Sequence, residues 1–156
     1  MKKLITREVM KPSIFGMFDG LTSLLGVLIP LLKYTHLLVF TTCVGLAVSS
    51  AISMGLGEYL SYDKDISTKT RIHTSIYMGI FTAIGCFLPV VPFLFVGGVI
   101  ALVSSIIIYL LLTLVVAFMK SGDLGWRSAL VQTLSISLVA VALVICATLL
   151  LPAPSA

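Results

Sequence analysis

Charge is what this chain has least of. Only 10% of its 156 residues are charged against 59% hydrophobic, and the mean hydropathy is +1.18. A soluble domain carries about 25% charged residues, so the composition excludes a water-soluble globule. Lipid must be the solvent for most of the chain. Cysteine is sparse and lacks any C-x-x-C pattern: Cys43, Cys86 and Cys146 all fall in apolar runs, where a free thiol acts as a small hydrophobe. The two histidines, His36 and His73, fall in expected loops on opposite sides of the membrane. They cannot share a metal site and read as solvated loop residues. No Ser–His pair, His-rich cluster or Asp pair lies within the apolar runs to support an intramembrane enzyme, and none is expected. The short alternating segments of a β-barrel are missing too, so the runs are helices.

A helix crossing a hydrocarbon core of about 30 Å needs roughly 20 apolar residues. The first span is expected at 13–32, with Pro12 at its start, where a missing N–H costs nothing, and Pro30 placed to kink or stop it. The second is expected at 37–61, followed by a polar loop from Tyr62 to His73. From Thr74 to Met119 there is no charged residue. That stretch is roughly 45 residues or about 70 Å of helix, which suits two crossings. The break is expected within Leu88–Pro92 or at Gly97–Gly98. This puts the third and fourth spans at 74–93 and 96–119, a polar loop at Lys120–Arg127, and the fifth span at 128–151, ending at Pro152. The segment Met1–Ser13 is basic, but the apolar run behind it is too long for a signal core and no small-x-small site follows, so it reads as a retained first span. The expected fold is all-α and membrane-integral, a single membrane domain over 1–156.

Basic residues sort cleanly in this scheme. Lys2, Lys3, Arg7, Lys11, Lys64, Lys69, Arg71, Lys120 and Arg127 fall on one side and only Lys33 on the other. The positive-inside rule makes the rich side cytoplasmic, with the N-terminus inside and the C-terminus outside. The net charge of +4 is explained by this sorting and calls for no nucleic-acid partner. Small residues recur at Gly16-x-x-x-Gly20, Ala51-x-x-x-Gly55 and Ser53-x-x-x-Gly57, spacings that let helix backbones approach closely in lipid.

Of six acidic residues, Glu8, Asp63, Asp65 and Asp123 sit in segments on the basic side, while Asp19 and Glu58 sit inside spans. A carboxylate at depth is costly unless protonated, hydrated or bound to a cation. Glu58 can also be read as an interfacial carboxylate reaching water; the short arm of Asp19 cannot do so. Counted from the expected span ends, Asp19 is about 9 Å deep, Glu58 about 6 Å and Met54 about 12 Å, which are similar levels. Met54 and Glu58 are four apart and share a helix face. Asp19, Ser23, Gly26 and Pro30 form a small or polar stripe suited to lining a pathway, and Gln132 on the fifth span lies near the same level. Met54 by itself reads as packing. Beside Glu58 it also completes a set of two carboxylates and a thioether, which suits a divalent transition metal such as Fe²⁺.

At these residues the chain resembles the vacuolar iron transporter family. Gly16–Val27 resembles the first-span pattern D-G-L-x-S followed by Gly. Ala51–Ser61 resembles the second-span pattern S-M-x-x-G-E-Y-x-S. The Pro89–Phe93 corner and the stretch Gly125–Leu130 are similar as well. The resemblance implies a five-helix protomer in a homodimer that moves Fe²⁺, and often Mn²⁺, out of the cytoplasm in exchange for protons. It also implies that Asp19, Met54 and Glu58 line the pathway near the dimer axis. Typical members insert a long Glu-rich helical domain between spans two and three. Here that connection holds only Asp63 and Asp65 as carboxylates. The expected function is therefore proton-coupled export of a divalent transition metal, with the ion as cargo and no cofactor. The competing readings are a proton-coupled exporter of small organic cations and a non-transporting membrane subunit. The expected location is a bacterial plasma membrane.

Overall fold

The computed structural model describes residues 2–63 and 65–150, without the side chains of residues 2–8, 123, 124 and 149. Lys64 and the expected end of the fifth span at Leu151 and Pro152 lie outside the described residues. So do the side chains of Lys2, Lys3, Arg7, Glu8 and Asp123.

The described chain is helical with no strand. In order it forms α1 (Lys2–Leu31), α2 (His36–Ser61), α3 (Thr68–Phe87), a 3-10 turn (Leu88–Val90), the one-turn α4 (Pro92–Phe95), α5 (Gly98–Leu124) and α6 (Trp126–Leu150). Five of these helices are long and apolar enough to cross a membrane. The chain is a multi-pass membrane protein.

The helices run further than the apolar residues alone suggest. Helix α1 begins at Lys2, so Pro12 lies inside it rather than at its start. A proline there removes one backbone hydrogen bond. One residue on, the Ser13 hydroxyl donates to the Val9 carbonyl at 2.8 Å and holds the turn together. Pro30 does end the helix, at Leu31. The loop expected over 62–73 shrinks to 62–67, because Ser67 caps α3: its hydroxyl oxygen accepts from the Thr70 N–H at 3.2 Å. Lys69, Arg71 and His73 therefore ride on a helix. The loop expected over 120–127 is reduced to Gly125, whose φ of +77° suits glycine and turns α5 directly into α6. Both expected breaks of the long uncharged run are used. The corner starts at Leu88–Pro89 and ends at Gly97–Gly98, with α4 between them. His36 is not a free loop residue either. It opens α2, and its Nδ1 lies 3.1 Å from the Phe93 carbonyl, tying α2 to the corner.

Helix α3 is sandwiched between α1 and α2. A Cβ at Gly16 would come within 2.5 Å of the Met78 carbonyl oxygen, and one at Gly20 would strike the Thr82 carbonyl. Gly85 answers from α3 and meets the Met17 carbonyl. Across the other face, a Cβ at Gly79 would lie 2.9 Å from the Ala51 carbonyl oxygen, and one at Gly55 3.1 Å from that of Ser75. Of the small-x-x-x-small positions, Gly16, Gly20, Ala51 and Gly55 are thus consumed inside the protomer. Lipid gives helices no hydrophobic drive to associate, so close backbone packing supplies much of what holds these three together. Two apolar clusters complete the bundle. Leu24, Leu28, Val39, Cys43, Val90, Phe93 and Ala101 form one around the corner. Met17, Leu21, Tyr109, Leu112 and Val116 form the other between α1 and α5. The buried hydroxyls of Tyr109 and Ser137, 2.7 Å apart, join α5 to α6.

Candidate functional site

The helix register sets the depth of each candidate. Gly20 lies beside Thr82 and Cys86, so Asp19 sits level with that part of α3. Gly55 lies beside Ser75 and Gly79, so Met54 sits nearer the start of α3, and Glu58 nearer still. Counted along α3, Met54 is roughly 8 Å and Glu58 roughly 14 Å closer to the basic end than Asp19. The three residues do not share a level, as counting from Ser13 implied. The register against α3 therefore sets Asp19 as the deepest of the three, about 14 Å beyond Glu58 from the basic end. The arrangement is a ladder that climbs from Glu58 at the basic end, past Met54, to Asp19.

Each rung has its own support. The Tyr62 phenol donates a 2.9 Å hydrogen bond to Oε1 of Glu58. Around Asp19, the Thr22 hydroxyl donates to the carbonyls of Phe18 and Asp19, at 3.1 and 3.0 Å, so it serves the helix backbone rather than the carboxylate. Cys86 is fully buried nearby. Its Sγ donates to the Gly20 carbonyl at 3.1 Å, and Asp19 and the Ser50 side chain lie close to it. Asp19, Met54 and Glu58 are all partly exposed. Among the described residues neither carboxylate meets a basic side chain.

Among the described residues, no group of three or more His, Cys, Asp and Glu is placed to hold one ion. By the register along α3, the expected ligand set Asp19, Met54 and Glu58 is spread out within one protomer rather than gathered around a point. Ser23 is partly exposed, and Gly26 is exposed with open space where a Cβ would stand, as a lining position requires. Gln132 does not join them. It is exposed on α6, which packs on α5 and α1 rather than on α2. Two residues that sequence reasoning passed over are Tyr62 and Ser50. Tyr62 stands four residues after Glu58, a spacing that already places it within reach. Nothing in the sequence marks Ser50, since its role depends on where Cys86 falls.

No match was found among curated proteins or solved structures. A family model does match part of the chain. It covers residues 10–71, that is, most of α1, all of α2 and the start of α3. This stretch holds Asp19, Met54 and Glu58, and leaves Gln132 outside. The model is that of the VIT family, to which this chain is similar over residues 10–71.

Proposed function

We propose that this protein exchanges a divalent transition metal, Fe²⁺ or Mn²⁺, for protons, exporting the metal from the cytoplasm. The observation that carries the reading is the position of Asp19 and Glu58. They are the acidic residues of the five apolar spans, they lie in the stretch that matches the family, and neither meets a basic partner among the described residues. A carboxylate in lipid needs a proton or a cation. A group that can take either, one at a time, is the minimum a proton–metal exchanger requires.

The ladder suggests how one ion could pass. Glu58, at the basic end, meets the hydrated metal first. Met54 offers a soft sulfur partway, which favours Fe²⁺ over harder ions. Asp19 takes the ion at the deepest rung. One protomer supplies too few ligands at any one level. A homodimer that sets two ladders face to face would double the donors at each rung, and we propose that assembly. It cannot rest on Gly16, Gly20 or Gly55, which are already engaged with α3. The proposed setting is a bacterial plasma membrane, with the basic end in the cytoplasm.

Liposomes containing only this protein test the reading. Imposing a Fe²⁺ or Mn²⁺ gradient should drive proton movement in the opposite direction, and a proton gradient should drive metal uptake. Proton flux driven by small organic cations but not by metals would favour the competing exporter. No flux with either would leave a non-transporting subunit.

A further inference from the structure

Away from the ladder, α1, α5 and α6 enclose a groove of about 300 Å³. Its apolar wall includes Phe15, Phe18 and Ile136, and its rim carries Lys11 and Lys120. Among the described side chains, which do not include Glu8 or Asp123, no carboxylate lines it and neither lysine has an ion-pair partner. Lys11, in the N-terminal part of α1, and Lys120, four residues before the end of α5 at Leu124, both lie toward the basic end of the bundle. Their ammonium groups thus belong to the headgroup level there. Phe18 lies seven residues beyond Lys11, so the apolar wall continues about 10 Å further into the membrane. The contrast within the molecule is direct. The larger groove between α2 and α3, of about 500 Å³, is lined by no charged residue.

A second observation falls in the same groove. Thr133 lines it, is 3% exposed, and its Oγ1 has no hydrogen-bond partner. A buried hydroxyl with no partner calls for an acceptor supplied from elsewhere. Lys120 lies five residues before the Gly125 turn and Thr133 eight after it, which sets Thr133 about 5 Å deeper than Lys120, where the ester carbonyls under a phosphate would lie.

We propose that this groove is a binding site for one anionic phospholipid. Its phosphate lies between Lys11 and Lys120, an ester carbonyl accepts from Thr133, and an acyl chain runs along Phe15, Phe18 and Ile136. Two lysines on one groove favour an anionic headgroup over a zwitterionic one, whose own cation they would repel. The occupant is a lipid rather than a soluble anion because the walls below the lysines are apolar and open toward the bilayer.

Delipidated protein in mild detergent, titrated with phosphatidylglycerol or phosphatidylcholine and followed by native mass spectrometry, tests this. Wild-type protein should retain phosphatidylglycerol in preference. The variants Lys11→Gln and Lys120→Gln should each lower that affinity about fivefold. Lys33→Gln, at the opposite end, should not change it, and Lys11→Arg with Lys120→Arg should preserve it. Thr133→Val should weaken binding of phosphatidylglycerol while leaving its preference over phosphatidylcholine in place. Equal retention of the two lipids overturns the proposal. So does an unchanged affinity in the double glutamine variant, or displacement of the lipid by inorganic phosphate, which would mark a soluble-anion site. Lipid loss whenever the protein dimerises would show that a second copy covers the groove, and would also overturn it. Should the glutamine variants fail to fold, the arginine pair and the wild-type lipid comparison still decide.

Discussion

The phenol of Tyr62, just past the end of α2, hydrogen-bonds Oε1 of Glu58 one helical turn back, at 2.9 Å. The bond fixes the carboxylate's direction at the mouth of the proposed pathway. Tyr62→Phe keeps the ring and removes the donor, at a cost of about 1 kcal/mol in holding the carboxylate, or roughly fivefold. Metal uptake into liposomes at low metal concentration should fall by about that factor while expression and insertion stay normal. Uptake equal to wild type would mean that the Tyr62 contact does not shape the site.

Glu58→Gln goes further, since it removes the charge and the exchangeable proton together. Proton movement coupled to metal should disappear, even if some metal still binds at Asp19. Simultaneous recording of internal pH and metal uptake separates these. Coupled flux that survives would take Glu58 out of the mechanism.

Asp19→Asn preserves shape at the top of the ladder and removes the one acidic group there. Transport should be lost with normal membrane insertion, because nothing else at that level can balance a divalent charge. Normal flux in this variant would leave the deepest rung without a function.

Met54→Leu conserves volume and deletes the sulfur. Affinity for Fe²⁺ and Co²⁺ should drop more than affinity for Mn²⁺, which is satisfied by oxygen ligands. Competition assays under anaerobic, reducing conditions measure this. Equal losses for the three ions would reduce Met54 to packing.

Glycine substitutions test the helix register directly. Gly20→Ala drives a methyl group into the Thr82 carbonyl and should destabilise by about 1–3 kcal/mol. Gly26→Ala points into open space and should be neutral or stabilising by up to about 1 kcal/mol through helix propensity. Thermal unfolding in detergent should separate the two variants. Equal melting temperatures would contradict the packing of α1 on α3.

The number of crossings and the two breaks of the uncharged run were legible because they follow from length and from proline and glycine. The helix ends were not. Counting apolar residues misses the polar turns that continue a helix through the headgroup region, as at Lys2–Lys11, Thr68–His73 and Lys120–Leu124. Ser67, followed by Thr70, was a readable cap hidden inside a stretch that looked merely polar. Counting from span ends also put Asp19, Met54 and Glu58 at similar levels, whereas the contacts of Gly20 and Gly55 along α3 separate them. The stripe from Asp19 to Pro30 and the pairing of Met54 with Glu58 could be drawn from helical periodicity alone. Which neighbour Gly16, Gly20 and Gly55 would meet could not, because spacing marks a close approach without naming the partner. Gln132 shows the same gap: its level was readable, but its distance from α2 depends on how α6 packs.

The glycine contacts also limit what can move. Sliding α1 along α3 by a single residue's rise, about 1.5 Å, would bring Cβ-bearing positions against carbonyl oxygens. Helices α1, α2 and α3 therefore behave as one stiff plate, with the carboxylate ladder engraved on it. A transport cycle that opens first to one side and then to the other cannot deform the ladder. It has to change what faces the plate instead. On the proposed function, what is left to shift against the plate is α5 with α6, joined to each other at Gly125 and through Tyr109 and Ser137.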